Sequence, residues 1–327
     1  MRRLAVILLL AVLAVGCGDD EGNESAGGGT GGGGTAPGST IRPDDFKGAR
    51  LTVGSKEFTE QKILGQIAIL VLKDAGATVK DETGITGTAN VRKALESNEI
   101  DMYWEYTGTG WTDILGNKAG DAAKDPKELF TAVAKQDQEK NGVSWISKST
   151  ANDTYAFATS AKASKQFNVT TLSDYAKLAN DDPASATMCA AAEFLDREDG
   201  WPGMEKAYGF ELPDKYISEV DLGLVFEGVP KGKPCNFGEV FETDGRIPAN
   251  KLVVLKDDKS YFVSYEVAMT VNQKVLKGAP KLEGVLDPVA KALTTEELTK
   301  LNSQVDVDGL PIEAVAKKWL QGKDLIG

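Results

Sequence analysis

The feature that most narrows what this chain can fold into is the switching of its apolar period along residues 50–103. Residues 50–54 read as a strand, 59–75 as a helix, 78–80 as a second strand, 89–98 as a short helix and 100–103 as a third strand. The long helix carries the clearest signal. Ile63, Leu64, Ile67, Leu70 and Val71 form one apolar stripe, Thr59 stands at the cap position, Glu60 lies in the first turn, and Gly76 ends the run. Strands that alternate with helices in this order must be joined by crossovers, which predicts a parallel sheet covered by helices.

The same alternation continues. A helix is predicted over 126–140, strands over 143–146 and 152–158, and then a second α/β unit with helices over 173–180 and 202–208. Its strands fall near 186–190 and 216–220, and residues 222–228 and 239–241 belong to the same unit. The runs 252–255 and 262–270 read as strands returning towards the first unit. The end is helical: 280–293, a segment opened by a capping box at Thr294 and Glu297, and 311–321. This predicts an α/β protein of two lobes joined by a hinge. The first lobe comprises 48–153 and 265–327, and the second comprises 154–264.

The first forty residues are of another kind. Arg2 and Arg3 precede an apolar run over 4–15 and the sequence Ala14-Val15-Gly16-Cys17. The run is too short for a membrane span and has the layout of an export signal over 1–16. The pattern resembles a bacterial lipoprotein signal, in which cleavage leaves Cys17 as a lipid-modified terminus; ordinary secretion is the plainer alternative. Eight glycines between Gly27 and Gly38 make 17–47 a tether. That region lacks the Gly-Lys-Ser/Thr ending of a phosphate loop.

The formal charge of −12 becomes −14 once Arg2 and Arg3 are set aside, with 35 basic residues against 49 acidic ones. Nucleic acid is an improbable partner for such a surface, while a cationic ligand is weakly favoured. The chain has no histidine, so the commonest general base and metal ligand are both missing. No cofactor or metal is expected, and no enzyme motif stands out. Cys189 and Cys235 remain as an even pair in an exported chain, and are either a disulfide or two buried thiols.

The stretch Asp101-Met-Tyr-Trp-Glu-Tyr-Thr-Gly-Thr109 is the clearest candidate for ligand contact. It places an aromatic face at Tyr106, hydroxyls at Thr107 and Thr109, and a flexible Gly108 at the carboxyl end of a strand, where open α/β sheets bind ligands. Trp104 and Trp111 are assigned to packing.

Several motifs occur in a fixed order: Val53-Gly-Ser-Lys56 with Phe58-Thr-Glu-Gln61, Asp101-Met-Tyr103 with Glu105-Tyr-Thr-Gly-Thr109, and Asn152-Asp-Thr-Tyr155. They are followed by Glu193-Phe-Leu-Asp-Arg197 with Asp199-Gly200, Thr243-Asp-Gly-Arg246, residues 252–258, and Leu301-Asn302 with Gln304-Val-Asp306. In this order the chain resembles the substrate-binding proteins of osmoprotectant ABC transporters, the glycine betaine/choline/proline-betaine group, over about residues 51–326. The resemblance implies a bilobed periplasmic-binding-protein fold that closes on its ligand. It also implies an aromatic box for a trimethylammonium group at Tyr106, Tyr155, Phe241 and Tyr265, with Asp153 beside it. Lys56, Thr109 and Arg197 fall on the carboxylate side, with Glu193 one helical turn before the arginine. Phe241 replaces the family's usual tyrosine, which keeps the π face and loses a hydroxyl. The partners implied are a small betaine or choline-like solute, an ABC permease and, through the lipid, the membrane; the body is expected to be a monomer.

The chemistry suits that ligand. A quaternary ammonium has no N–H to donate, so aromatic faces grip it better than hydrogen-bond acceptors do. Four desolvated rings supply about 2–8 kcal/mol, against roughly 8 kcal/mol net for a micromolar ligand. Charge-assisted contacts from Lys56 and Arg197 to a carboxylate would add to this, which favours a zwitterion such as glycine betaine over choline, with choline, carnitine or another amine in the same fold as the alternative. Each residue also has an ordinary explanation. Tyr155 and Phe157 alternate as any strand does, Asp153 suits a turn, and Arg197 sits in what looks like a surface charge cluster, Asp196-Arg-Glu-Asp199.

Overall fold

The computed structural model describes residues 45–327, so the expected export signal, Cys17 and most of the expected tether lie outside the described residues. The body is built on two five-stranded sheets. The first contains β1 (Arg50–Lys56), β2 (Thr78–Ile85), β3 (Met102–Tyr106), β4 (Val143–Ile146) and β10 (Val267–Asn272), in the order β2-β1-β3-β10-β4. The second contains β5 (Tyr155–Ser160), β6 (Met188–Ala190), β7 (Ile217–Glu219), β8 (Phe237–Phe241) and β9 (Leu252–Val254), in the order β7-β6-β8-β5-β9. This is the expected bilobed α/β architecture, with the middle of the chain inserted between the two parts of the first lobe.

The sheets are mixed, where a parallel sheet was expected. β1 pairs in parallel with β2 and β3, as the crossovers require, but β10 runs antiparallel to both β3 and β4. The chain enters β10 from the other lobe and not through a crossover helix, so its direction is not constrained by that rule. Only one of the two runs expected to return reaches the first lobe. β9 pairs antiparallel with β5 and stays in the second sheet.

Two segments, 147–154 and 255–266, join the lobes, and they hold each other. Asn152 and Glu266 form an antiparallel bridge, Asp153 N–H donates to Tyr265 C=O at 3.1 Å, and Tyr265 N–H donates to Asn152 Oδ1 at 2.7 Å. A paired crossing of this kind can twist while its two strands stay in register, which is what a hinge needs.

Helix Thr59–Asp74 is buried more widely than a one-sided stripe, because Ala68, Ile69 and Leu72 are covered as well. The helices Thr295–Asp306 and Ile312–Gly322 pack against it as well. Thr59 makes no cap bond; its hydroxyl donates to Asp306 Oδ1 at 2.7 Å. The Thr294 hydroxyl does accept from Glu297 N–H at 3.2 Å. The Glu297 carboxylate turns instead to Trp319 Nε1 at 2.8 Å and to Lys323. Cys189 and Cys235 are joined by a disulfide that ties β6 to the turn preceding β8.

Candidate functional site

β1 ends at Lys56, β3 at Tyr106, β6 at Ala190 and β8 at Phe241, and these carboxyl ends face one cleft of about 940 Å³. The four rings expected to form a box all line it. The antiparallel register of β5 on β8 sets Tyr155 opposite Phe241, with ring centroids 5.1 Å apart. Tyr155 meets Tyr265 edge-on at 5.5 Å. Tyr265 belongs to the second crossing segment, and the pairing of Val267 with Tyr106 brings it back beside β3.

The reading of the sequence missed a fifth ring. Phe58 stacks on Phe241 at 5.3 Å and faces Tyr106 at 6.3 Å, so it closes the row Tyr106–Phe58–Phe241–Tyr155–Tyr265. The available signal was a large apolar residue at a helix N-cap, where a polar side chain usually serves. Gly108 also has a different role from the flexibility expected of it. Thr107–Thr109 is a helical turn that widens into a π turn over Gly110–Ile114, and a β-carbon at Gly108 would lie 2.6 Å from the Tyr265 ring. The glycine is there to let the ring seat.

On the side assigned to a carboxylate, Thr109 and Lys56 both line the cleft. Lys56 Nζ lies 2.7 Å from Glu105 Oε1 and 5.2 Å from the centre of the Tyr106 ring. Arg197 is buried behind Tyr155, its guanidinium 5.7 Å from that ring's centre, and it faces a second hollow of about 760 Å³. Its fork is occupied. Nε and Nη2 donate to the two Asp199 oxygens at 2.8 and 2.6 Å, and Nη1 donates to Glu193 Oε1 at 3.0 Å. Burial raises the Asp199 pKa, but the Arg197 bonds, with the Thr112 and Tyr265 hydroxyls, bring it below the usual carboxylate range. Asp199 Oδ2 accepts from Tyr265 OH at 2.7 Å, so this ion pair also orients a ring of the box. Glu193 lines the cleft and accepts from Thr88 Oγ1 at 2.5 Å. Burial pushes its pKa up, and Lys56, Thr88 and Arg197 together pull it lower than normal.

Asp153 lies at the edge of the box, as placed by the resemblance, and it has a partner that the sequence did not suggest. Asp153 Oδ1 and Glu60 Oε2 both contact Thr243 Oγ1, at 2.6 and 2.5 Å. Burial, and then each other's charge, hold the Asp153 carboxyl well above its ordinary value. Burial also raises Glu60, although Thr243, Asn302 and Tyr106 donate to it. Trp104 and Trp111 are buried away from the cleft. Nine carboxyl side chains line the cleft against two cations, Lys56 and Arg246, so its field favours a positive ligand.

The model of the substrate-binding domain of ABC-type glycine betaine transport systems matches residues 49–322 of this chain. A glycine-betaine-binding protein of Pseudomonas aeruginosa is 33% identical over 281 residues, which cover 84% of this chain and 88% of that protein. The glycine betaine-binding protein YehZ of Escherichia coli K12 is 31% identical over 276 residues, covering 83% and 90%. The solved apo structure of YehZ superposes with a TM-score of 0.61 at 30% identity, over 84% of this chain and 99% of that one.

Proposed function

Because this chain belongs to the family of substrate-binding domains of ABC-type glycine betaine transport systems, we propose that its aromatic cleft captures a quaternary ammonium compatible solute, glycine betaine first among them. The protein delivers that solute to a membrane permease from the extracytoplasmic side. Five rings, drawn from both lobes and the hinge around one void, carry this reading. They offer π faces to a cation that no hydrogen-bond acceptor can grip. The lobes are 48–153 with 265–327, and 154–264; they close about the Asn152–Glu266 crossing. Cys17 carries the lipid anchor, the body acts as a monomer, and no chemical step takes place on the solute.

A second reading, choline or another amine without a carboxylate, is favoured by the pairing of Lys56 with Glu105 and of Arg197 with Asp199. For a zwitterion to be preferred, these cations must turn part of their charge towards the ligand. Calorimetric titration with glycine betaine, choline and carnitine separates the two, with Arg197→Ala beside the wild type. Loss of betaine binding with choline spared supports the zwitterion reading. Equal losses leave Arg197 as the support for Tyr265, and the absence of binding to any quaternary ammonium refutes both readings.

A further inference from the structure

The buried carboxyls of Glu60 and Asp153 make a demand that their donors cannot meet. Thr243 Oγ1 touches both, at 2.5 and 2.6 Å, and a hydroxyl has one hydrogen. It can donate to one carboxylate, so at the other contact the carboxyl must donate to it. The line Glu60–Thr243–Asp153 thus holds one proton more than two carboxylates and a threonine carry. The remaining donors are neutral: Tyr106 OH to Glu60 Oε1 at 2.9 Å, Asn302 Nδ2 to Glu60 Oε2 at 2.8 Å, and Thr243 N–H to Asp153 Oδ1 at 3.3 Å.

The neighbouring charges do not supply the missing compensation. Lys56 is paired with Glu105, and Arg246 with Asp244 and, more loosely, Asp306. Asp306 also accepts from Thr59. Tyr155 and Tyr265, on the other walls, are buried phenols whose pKa values burial raises well above normal, so they stay neutral. Two carboxyls this close, out of water and without a paired cation, do not both ionise.

We propose that this shared proton stands in for the ligand's charge: a quaternary ammonium entering the aromatic cage displaces it, so that capture releases one proton from the Glu60–Asp153 pair. The inference rests on the cage reading above. The step is a plain dissociation. One carboxyl O–H bond breaks, the proton passes to solvent, and the permanent charge of the ligand takes over its electrostatic role. A trimethylammonium suits this exchange because it brings charge to Asp153 without needing a hydrogen bond from it. Glu60 is then a residue that sets the pH range of binding through the proton it shares with Asp153.

The direction follows from linkage. Below the raised titration point of the empty pair, binding must expel a proton, so affinity weakens by up to about tenfold for each pH unit of acidification. Above that point both carboxyls are already ionised, and affinity is flat.

The test is calorimetric titration of the full body with glycine betaine and with choline, from about pH 5 to about pH 9, in buffers of contrasting ionisation enthalpy. The expected result is a buffer-dependent enthalpy that reports release approaching one proton at the acid end and none at the alkaline end. Glu60→Gln should remove this dependence and flatten the pH profile. Binding with the same enthalpy in every buffer and at every pH would overturn the inference and leave the cage standing. Glu239 also lines the cleft with a carboxyl raised by burial, so Glu239→Gln is titrated beside the wild type: release retained there assigns the proton to the pair even if Glu60→Gln folds poorly, and release lost there overturns the inference. No binding by either ligand would refute the cage reading and this inference together.

Discussion

Replacing Gly245 by alanine is expected to hold the two lobes apart without disturbing either one. Gly245 has φ −62° and ψ −16°, a conformation that alanine adopts freely, so the backbone itself resists nothing. The obstacle lies across the cleft. A β-carbon at Gly245 would sit 2.5 Å from Ser303 Cα and 2.6 Å from Ser303 N, atoms of helix Thr295–Asp306 that cannot rotate away. Reaching the ordinary 3.4 Å contact means parting the segments by about 0.9 Å. Asn302 Nδ2, now 3.1 Å from Thr243 C=O, would lose that bond, and Arg246 Nη2, 3.7 Å from Asp306, would leave ion-pair range. The contact between Thr243 and Glu60 would be stretched from 2.5 Å to the limit of a hydrogen bond. One neutral bond lost and one charge-assisted bond weakened amount to about 2–3 kcal/mol against closure. Since only the closed form encloses ligand, the dissociation constant should rise roughly 30- to 150-fold. Calorimetry with glycine betaine measures this. Small-angle scattering should show the variant failing to compact at ligand concentrations that compact the wild type, while the ligand-free melting temperature stays the same. An affinity within twofold of wild type would refute the argument, because the lobes would then close without that contact.

Gly108→Ala should act on the cage itself: the new carbon displaces the Tyr265 ring, strains its bond to Asp199, and costs about 1–3 kcal/mol, read as a lower melting temperature together with weaker binding. Unchanged binding would mean that Tyr265 is not a wall of the site. Glu239 lies on β8 across from Phe157 and accepts from Ala191 N–H at 2.8 Å. Burial pushes its pKa up to about 8, with Ala191 lowering it and Glu193 raising it. A carboxyl raised in this way contributes stability that is complete below its ordinary value of 4.5 and is lost as pH rises through 8. Glu239→Gln should therefore flatten the decline in melting temperature across that window, and an identical decline in the variant would exclude Glu239 as its source.

The order of elements could be read because strand and helix periods are local properties, and the rings at Tyr106, Tyr155, Phe241 and Tyr265 could be placed because the motif order supplied what spacing could not. What the sequence concealed depends on distant partners. Thr59 has every local mark of a cap, yet its hydroxyl serves Asp306, 247 residues away. The crossing segments carry no period, so nothing local reveals that β10 inserts antiparallel or that β9 remains behind. Asp196-Arg-Glu-Asp199 has the composition of a solvated cluster, but Arg197 and Asp199 are 7% and 4% exposed, because the fold lays Tyr155 and Tyr265 over them. Charge patterning along a chain gives no information about depth.

Depth explains how cargo and closure come to be coupled. Among the hydrogen bonds that cross between the lobes next to the cage are those of Thr88 to Glu193, Thr112 to Asp199 and Thr243 to Glu60. In each of these a neutral hydroxyl meets a carboxyl group, and the cations within reach, Lys56 and Arg197, are already shared with Glu105 and Asp199, so closing the lobes gathers more acidic than basic charge. The cross-lobe ion pair at this mouth, Arg246 with Asp306, is long at 3.7 Å and partly solvated, and it offsets little of that charge. Confining carboxylates in a closing, drying cleft is unfavourable unless positive charge enters with them. A methylated ammonium supplies that charge and has no hydrogen bonds of its own to sacrifice on leaving water. The empty protein therefore resists closing for the same electrostatic reason that the filled one favours it. Neutralising Glu60, whose charge burial in the closed cleft disfavours, should bring the compact form forward in the absence of ligand, as read by small-angle scattering, while weakening the hold on the cation.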